Sequence, residues 1–121
     1  MEKMVILKWL VIIGGYIEVF IGILFLFIHL LLEPLGVPPS APMFSQLAGC
    51  MFICFGILLI FSAKDIEKYS LIIKVNCLLR FIIQPAVIYN MVLYPVFIPL
   101  LLGSAIYDIG WAIIVLFLLK N

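Results

Sequence analysis

The chain has 121 residues, 68% of them hydrophobic and 11% charged, with a mean hydropathy of +1.42, whereas soluble domains run about 45–50% apolar and about 25% charged. So few polar residues cannot cover a surface that faces water, which excludes a soluble globular domain and makes lipid the expected solvent. A formal net charge of +1, with no basic patch that could track phosphates, excludes a nucleic-acid binder.

At about 20 apolar residues per crossing, this length holds about four transmembrane helices and no extramembrane domain, so residues 1–121 are read as one all-α transmembrane domain. Helix 1 is expected over residues 8–32. Its apolar stretch is longer than a signal-peptide core, carries Glu18 in its middle and lacks an A-x-A-like cleavage site, so it is read as a retained span. In residues 33–42, Pro34, Pro38, Pro39 and Pro42 cannot continue a helix and favour extended backbone, which predicts a stiff, ordered loop. Helix 2 follows over residues 43–61. The short charged connection at residues 62–68 suits a tight antiparallel hairpin into helix 3, residues 69–90. A turn at Tyr94 leads into helix 4, residues 95–119, where Pro95 and Pro99 suit a broken or first-turn start. The expected architecture is an antiparallel four-helix bundle.

Orientation follows from the basic residues. Lys3 and Lys8 precede helix 1, Lys64 and Lys68 lie in the second connection, Lys74 opens helix 3 and Lys120 ends helix 4, while the other two loops hold none. The positive-inside rule then puts both termini in the cytoplasm of a multi-pass cell-membrane protein. Trp9, Tyr89, Tyr94 and Trp111 are read partly as interfacial aromatics, although Trp111 falls well inside helix 4.

Gly15 and Gly22, Gly49 and Gly56, and Gly103 and Gly110 are each seven apart, which predicts a close-packing seam on helices 1, 2 and 4. The shared Gly22-Ile23-Leu24 and Gly56-Ile57-Leu58, followed by Phe27 and Phe61, are read as part of those seams rather than as an internal repeat. Cys50, Cys54 and Cys77 show neither a redox pair nor zinc spacing and are expected to be small buried packing residues.

Three charges fall inside the spans. Glu18 lies ~15 Å in from Lys8 and Asp108 ~18 Å in from Lys120, and Arg80 lies ~9 to 18 Å in, depending on whether Lys74 or Lys68 marks the interface. A charge at mid-bilayer costs about 2.5–3.5 kcal/mol, so one cation and two anions at one depth should turn inward and pair. Faces agree. Asn76, Arg80 and Gln84 form an i, i+4, i+8 stripe that lipid could not satisfy. Pro85 removes the amide that would bond the Phe81 carbonyl, which predicts a freed acceptor beside Arg80. On helix 1, Lys8, Val11, Gly15, Glu18, Gly22, Phe25 and His29 share a face. On helix 4, Ser104, Asp108 and Ala112 line up, and helix 2 offers Gln46 with Gly49, Ile53 and Gly56.

Two readings of Glu18, Arg80, Asp108, Gln84 and Asn76 stay open at this point. A buried network can simply fix helix register. Intramembrane ionisable residues also mark ligand, ion or proton sites, in which case Arg80 would hold an anionic or carbonyl-bearing group and Glu18 or Asp108 would be the titrating carboxylate. With all three ionised the cluster carries −1. His29 is read as an interfacial residue near Glu33, or as part of an outer vestibule with Glu33 and Gln46. Residues 65–68 are read as solvated charge beside the headgroups. No nucleophile triad, phosphate loop, dinucleotide fingerprint or metal motif occurs, so neither an enzyme nor a metal site is expected.

Gly15-Tyr16-Ile17-Glu18-Val19-Phe20-Ile21-Gly22-Ile23-Leu24 resembles the first-helix pattern of the DoxX-like and BphX-like small four-helix membrane proteins. Leu47-Ala48-Gly49 through Phe55-Gly56-Ile57-Leu58, with the charged turn after it, is similar to their second helix, and Asp108 to a polar position in their last. The resemblance implies a four-helix bundle and, from some relatives, association with respiratory or quinone-linked membrane enzymes, with no catalytic motif to carry over. Gly14-Gly15 followed by Glu18 also resembles the small multidrug resistance transporters, whose first-helix glutamate couples protons to cationic substrates. The leading expectation is a non-enzymatic membrane protein, an accessory subunit or a binder of a small quinone-like or lipid-like ligand, assembled with itself or in a larger complex. The alternative is a proton-coupled transporter acting as a dimer, and a third is a membrane enzyme using a bound quinone or lipid.

Overall fold

The computed structural model describes residues 2–36 and 42–120, all-α in that no strand occurs among them. The elements are α1 (Glu2–Leu32), a 3₁₀ turn (Glu33–Leu35), α2 (Pro42–Ser62), α3 (Ser70–Ile82), α4 (Gln84–Leu93), a second 3₁₀ turn (Pro95–Phe97) and α5 (Ile98–Lys120). Four stretches are long and apolar enough to cross a membrane: Glu2–Leu32, Met43–Ser62, Ser70–Leu93 and Pro95–Lys120. The chain therefore has the makeup of a multi-pass membrane protein.

Helix α1 starts six residues earlier than expected, because nothing in residues 2–7 breaks a helix and lysine stems lie comfortably along apolar surface. After Leu32 the Pro34-containing turn ends at Gly36, whose φ of 78° only glycine adopts readily and whose N–H donates to the Glu33 carbonyl at 3.1 Å. Of the loop expected to be stiff, residues 37–41 lie outside the described residues.

The third span is two helices rather than the single one expected. Pro85 has no N–H for the Phe81 carbonyl and its ring crowds that oxygen, so the helix breaks at Ile83. Ile83 still donates to Leu79 O at 3.1 Å, and Val87 resumes the ladder by donating to Ile83 O at 3.0 Å. Pro95 and Pro99 sit as expected, one opening the 3₁₀ turn and the other in the first turn of α5.

Helices α1 and α2 make the closest pair in the fold. A β-carbon added to Gly22 would lie 2.6 Å from the Gly49 carbonyl oxygen, and one added to Gly49 2.5 Å from that of Gly22. Gly15 and Gly56 reciprocate in the same way, so numbering rises along one helix as it falls along the other. Phe25 and Phe52 close the seam edge to face at 5.5 Å. On α5 the expected seam does not form: Gly103 and Gly110 have nothing within 4 Å of an added β-carbon. That helix packs instead through Asp108, Trp111, Ala112 and Val115, a face that neither glycine shares. Gly14 is the glycine that meets α5, leaving room for the Trp111 ring.

Cys77 is buried as expected, but Cys50 and Cys54 are exposed. The seam at residues 49, 53, 56 and 60 sets the inward face of α2, and a residue one position round from it turns outward.

The apolar core is lopsided. Leu7 and Val11 of α1, Leu59 of α2, Ala63 and Ile66 after it, Ile73 and Cys77 of α3, and Trp111, Ala112 and Val115 of α5 form one cluster. Each lies on the same side of the level set by Glu18, Arg80 and Asp108. Past that level α4 packs on α5 rather than on α1 or α2, and among the described residues no apolar side chain is buried there.

Candidate functional site

The candidate site is built on Arg80, which α3 carries one turn after Asn76 and one turn before Gln84. Its guanidinium divides itself instead of gripping one carboxylate with two parallel bonds. Nη1 donates to Asp108 Oδ1 at 2.7 Å, Nη2 to Glu18 Oε2 at 3.3 Å and Nε to Asn76 Oδ1 at 3.0 Å. Asn76 closes the ring by donating its Nδ2 to the same Glu18 Oε2 at 2.8 Å. Glu18, Asn76, Arg80, Gln84 and Asp108 are all buried, none more than 9% exposed. One guanidinium therefore ties α1, α3 and α5 together at a single depth, as the depth arithmetic from the lysines predicts.

Local structure explains the placement. Gly15 and Gly22 flank Glu18 and bring α1 against α2, while the carboxylate points to the side on which α3 and α5 lie. Gln84 turns its Nε2 onto the carbonyl of Arg80 at 2.7 Å. The acceptor engaged at the Pro85 break is thus Arg80's own carbonyl, whereas the missing proline N–H pointed to that of Phe81. Gln84 caps the broken α3 with its side chain and joins the cluster through backbone, not through Arg80's charge.

Two aromatic residues of the site escaped the sequence reading. The Trp111 ring covers the guanidinium at 4.1 Å and Tyr107 stands on it at 5.5 Å. Both contacts offset part of the cost of burying the cation. The Trp111 indole N–H also donates to Leu10 O at 3.0 Å, pinning α5 to α1. The available signal was the Asp108/Trp111 spacing of three, which puts the indole beside the carboxylate on one helix face. Gly14 on α1 was its counterpart.

Three buried polar atoms have no partner among the described residues: Glu18 Oε1, Tyr107 Oη and His29 Nδ1. The first two belong to the cluster around Arg80. His29 is half-buried near the other end of α1, Glu33 and Gln46 are exposed, and no hydrogen bond or ion pair among the described residues links the three. Among the described residues no group of three His, Cys, Asp or Glu could hold a metal ion.

A groove of about 360 Å³ runs between α2 and α3, walled by Phe55 and Leu58 on one side and by Ile72, Val75 and Leu79 on the other. Asn76 is its one polar lining residue. Asn76 also holds Glu18 through its side-chain amide, so one residue borders both the groove and the charged cluster. Such an arrangement can seat an apolar chain beside a polar head. Comparison with protein-family models, with curated proteins and with solved structures finds no match to this chain.

Proposed function

We propose that the chain is a non-enzymatic integral membrane protein that binds a small lipid-like ligand, its polar head at the Glu18–Asn76–Arg80–Asp108 cluster and its tail in the α2/α3 groove, as an accessory subunit of a larger membrane assembly. The observation that carries this is the double role of Asn76, which lines the groove and bonds Glu18. A network serving only helix register would have no need to border a lipid-accessible cleft. Support from resemblance comes from the DoxX-like pattern around Gly15, Glu18 and Gly22 and from Asp108. In this reading the four spans form an antiparallel bundle with cytoplasmic termini. Lys8, Lys64, Lys68, Lys74 and Lys120 are all exposed and belong to one end of it.

The ligand reading is tested by native mass spectrometry of protein extracted in mild detergent. A bound mass of lipid size is expected on the unsubstituted chain and is expected to vanish in Val75→Trp, whose indole fills the groove, with thermal stability retained. Absence of any adduct on the unsubstituted chain would overturn the reading. Topology is tested separately in a cysteine-free background. An impermeant maleimide should label Glu33→Cys from outside intact cells and Lys64→Cys only after permeabilisation; the opposite pattern reverses the orientation.

A second reading, a proton-coupled transporter acting as a dimer, draws on the unjoined half of the fold past Glu18 and Asp108. It requires that substrate addition to loaded proteoliposomes move protons, which a binder does not do.

A further inference from the structure

A second cleft, of about 370 Å³, lies at the lysine-bearing end of the fold, between the first turns of α1 and the connection that follows α2. It shares no lining residue with the α2/α3 groove. Its charged lining is balanced: Lys8 and Lys64 are cations, Asp65 and Glu67 are anions, and all four residues are exposed. They do not neutralise one another in pairs, because every ion pair among the described residues involves Arg80. Lys64 rests its ammonium on the Phe61 ring at 4.9 Å, and Asp65 accepts the Lys68 N–H at Oδ1 at 3.2 Å. The floor is apolar, formed by the buried Ala63 and Ile66, and Met4 and Val5 add exposed apolar surface beside it. Trp9, next to Lys8 and 57% exposed, is a residue type that settles where headgroups meet hydrocarbon.

We propose that this cleft is a headgroup site for a phospholipid whose phosphate ester ends in a primary amine, the phosphoethanolamine head. Such a head carries one charge of each sign close together, as the lining does. Its phosphate would sit with the Lys8 and Lys64 ammoniums and its own ammonium with Glu67 and the second carboxylate oxygen of Asp65, while the acyl chains leave along Met4 and Val5. That apolar exit is why a lipid, and not the free head, is the occupant. Each other common head leaves part of the lining unmatched. A phosphoglycerol head brings an anion alone, so Asp65 and Glu67 face no cation and repel it. A phosphocholine head has both charges, but its trimethylated nitrogen has no N–H to give a carboxylate. The site is separate from the ligand proposed for the α2/α3 groove, and neither needs the other.

The test titrates three dioleoyl phospholipids, with phosphoethanolamine, phosphoglycerol and phosphocholine heads, into detergent-solubilised Val75→Trp, whose groove is closed, and reads the adducts by native mass spectrometry. An exposed cleft exchanges its lipid during extraction, so added lipid reports on it, whereas the copurified adduct reports on the groove. The phosphoethanolamine lipid is expected to bind about fivefold more tightly than the other two, the upper end of what one exposed ion pair contributes. Glu67→Gln should bring the phosphoethanolamine and phosphoglycerol lipids within about twofold of each other. Lys8→Gln combined with Lys64→Gln should weaken all three lipids about fivefold, since each carries the phosphate. These positions are exposed, so the variants fold. Should Val75→Trp itself fail to fold, the same shifts on the unsubstituted chain decide, since none of the substituted residues lines the groove. Equal binding of the three lipids, tighter binding of either alternative, or no saturable adduct overturns the proposal. A phosphoethanolamine preference that neither Glu67→Gln nor the lysine pair alters puts the lipid at another place and overturns it too. All of these outcomes leave the groove ligand standing, because that reading rests on the adduct copurified without added lipid.

Discussion

Arg80→Leu is expected to destabilise the protein by about 3–5 kcal/mol, because it strands two buried carboxylates that have no other cation to face. The loss includes the Nε bond to Asn76, the Nη1 bond to Asp108, the Nη2 bond to Glu18 and the cover that Trp111 gives the guanidinium. The triple variant Glu18→Leu, Arg80→Leu, Asp108→Leu is expected to recover most of that stability, since an apolar replacement of a complete buried network is often neutral or stabilising. Denaturation in detergent, followed by the near-ultraviolet signal of Trp111, measures both. The pair of variants also separates scaffold from site. A network that only sets helix register leaves the triple variant folded with its lipid-sized adduct intact. A ligand-binding network leaves it folded without the adduct, which is the expected result, because packing restores the fold but cannot restore a hydrogen-bonded head. If Arg80→Leu unfolds no more easily than the unsubstituted chain, the cluster is not held as an ionic network.

The second large effect lies in the α1/α2 seam. Gly22→Leu puts a β-carbon 2.6 Å from the Gly49 carbonyl and 2.8 Å from the Ile53 amide nitrogen. Both obstacles are backbone of the facing helix, which cannot swing aside as a flexible side chain would. The helices must part, so the cost is expected to exceed the about 1–3 kcal/mol of ordinary overpacking. Gly103→Leu and Gly110→Leu, by contrast, are expected to stay within about 0.5 kcal/mol of the parent, since an added β-carbon meets nothing within 4 Å at either place. All three differ by the same side chain on a helix of similar hydropathy, so thermal unfolding of the set isolates backbone proximity. A Gly22→Leu protein as stable as the parent would mean that α1 and α2 do not approach as described.

Counting from the lysines placed Glu18, Arg80 and Asp108 at one depth, and the four-residue spacing of Asn76, Arg80 and Gln84 put three polar groups on one stripe. Charge is so costly in lipid that its position along the chain nearly dictates where it must turn. Proline chemistry was equally legible: Pro85 removes an N–H and Pro95 cannot continue a helix, and the chain breaks near each. The seven-residue glycine spacing was legible only in part. It marked a real seam at Gly15/Gly22 and Gly49/Gly56 and an idle pair at Gly103/Gly110, because a missing side chain permits close approach without supplying a partner to make it.

Amino-acid order by itself determined the number of apolar spans, their boundaries to within about six residues and the common level of the buried charges, since all three follow from backbone satisfaction and desolvation along one dimension. The rotation of each apolar helix about its own axis was decided only by tertiary packing. When nearly every face is hydrophobic, no contrast between a wet and a dry side orients a helix, so the sequence could not say that Cys50 and Cys54 turn outward. For the same reason it could not say that Trp111 leaves the lipid interface to sit over Arg80 with Gly14 beneath it. Those choices come from side-chain shape and from the guanidinium's need to satisfy three nitrogens at once, and such partners meet only when separate helices are already side by side.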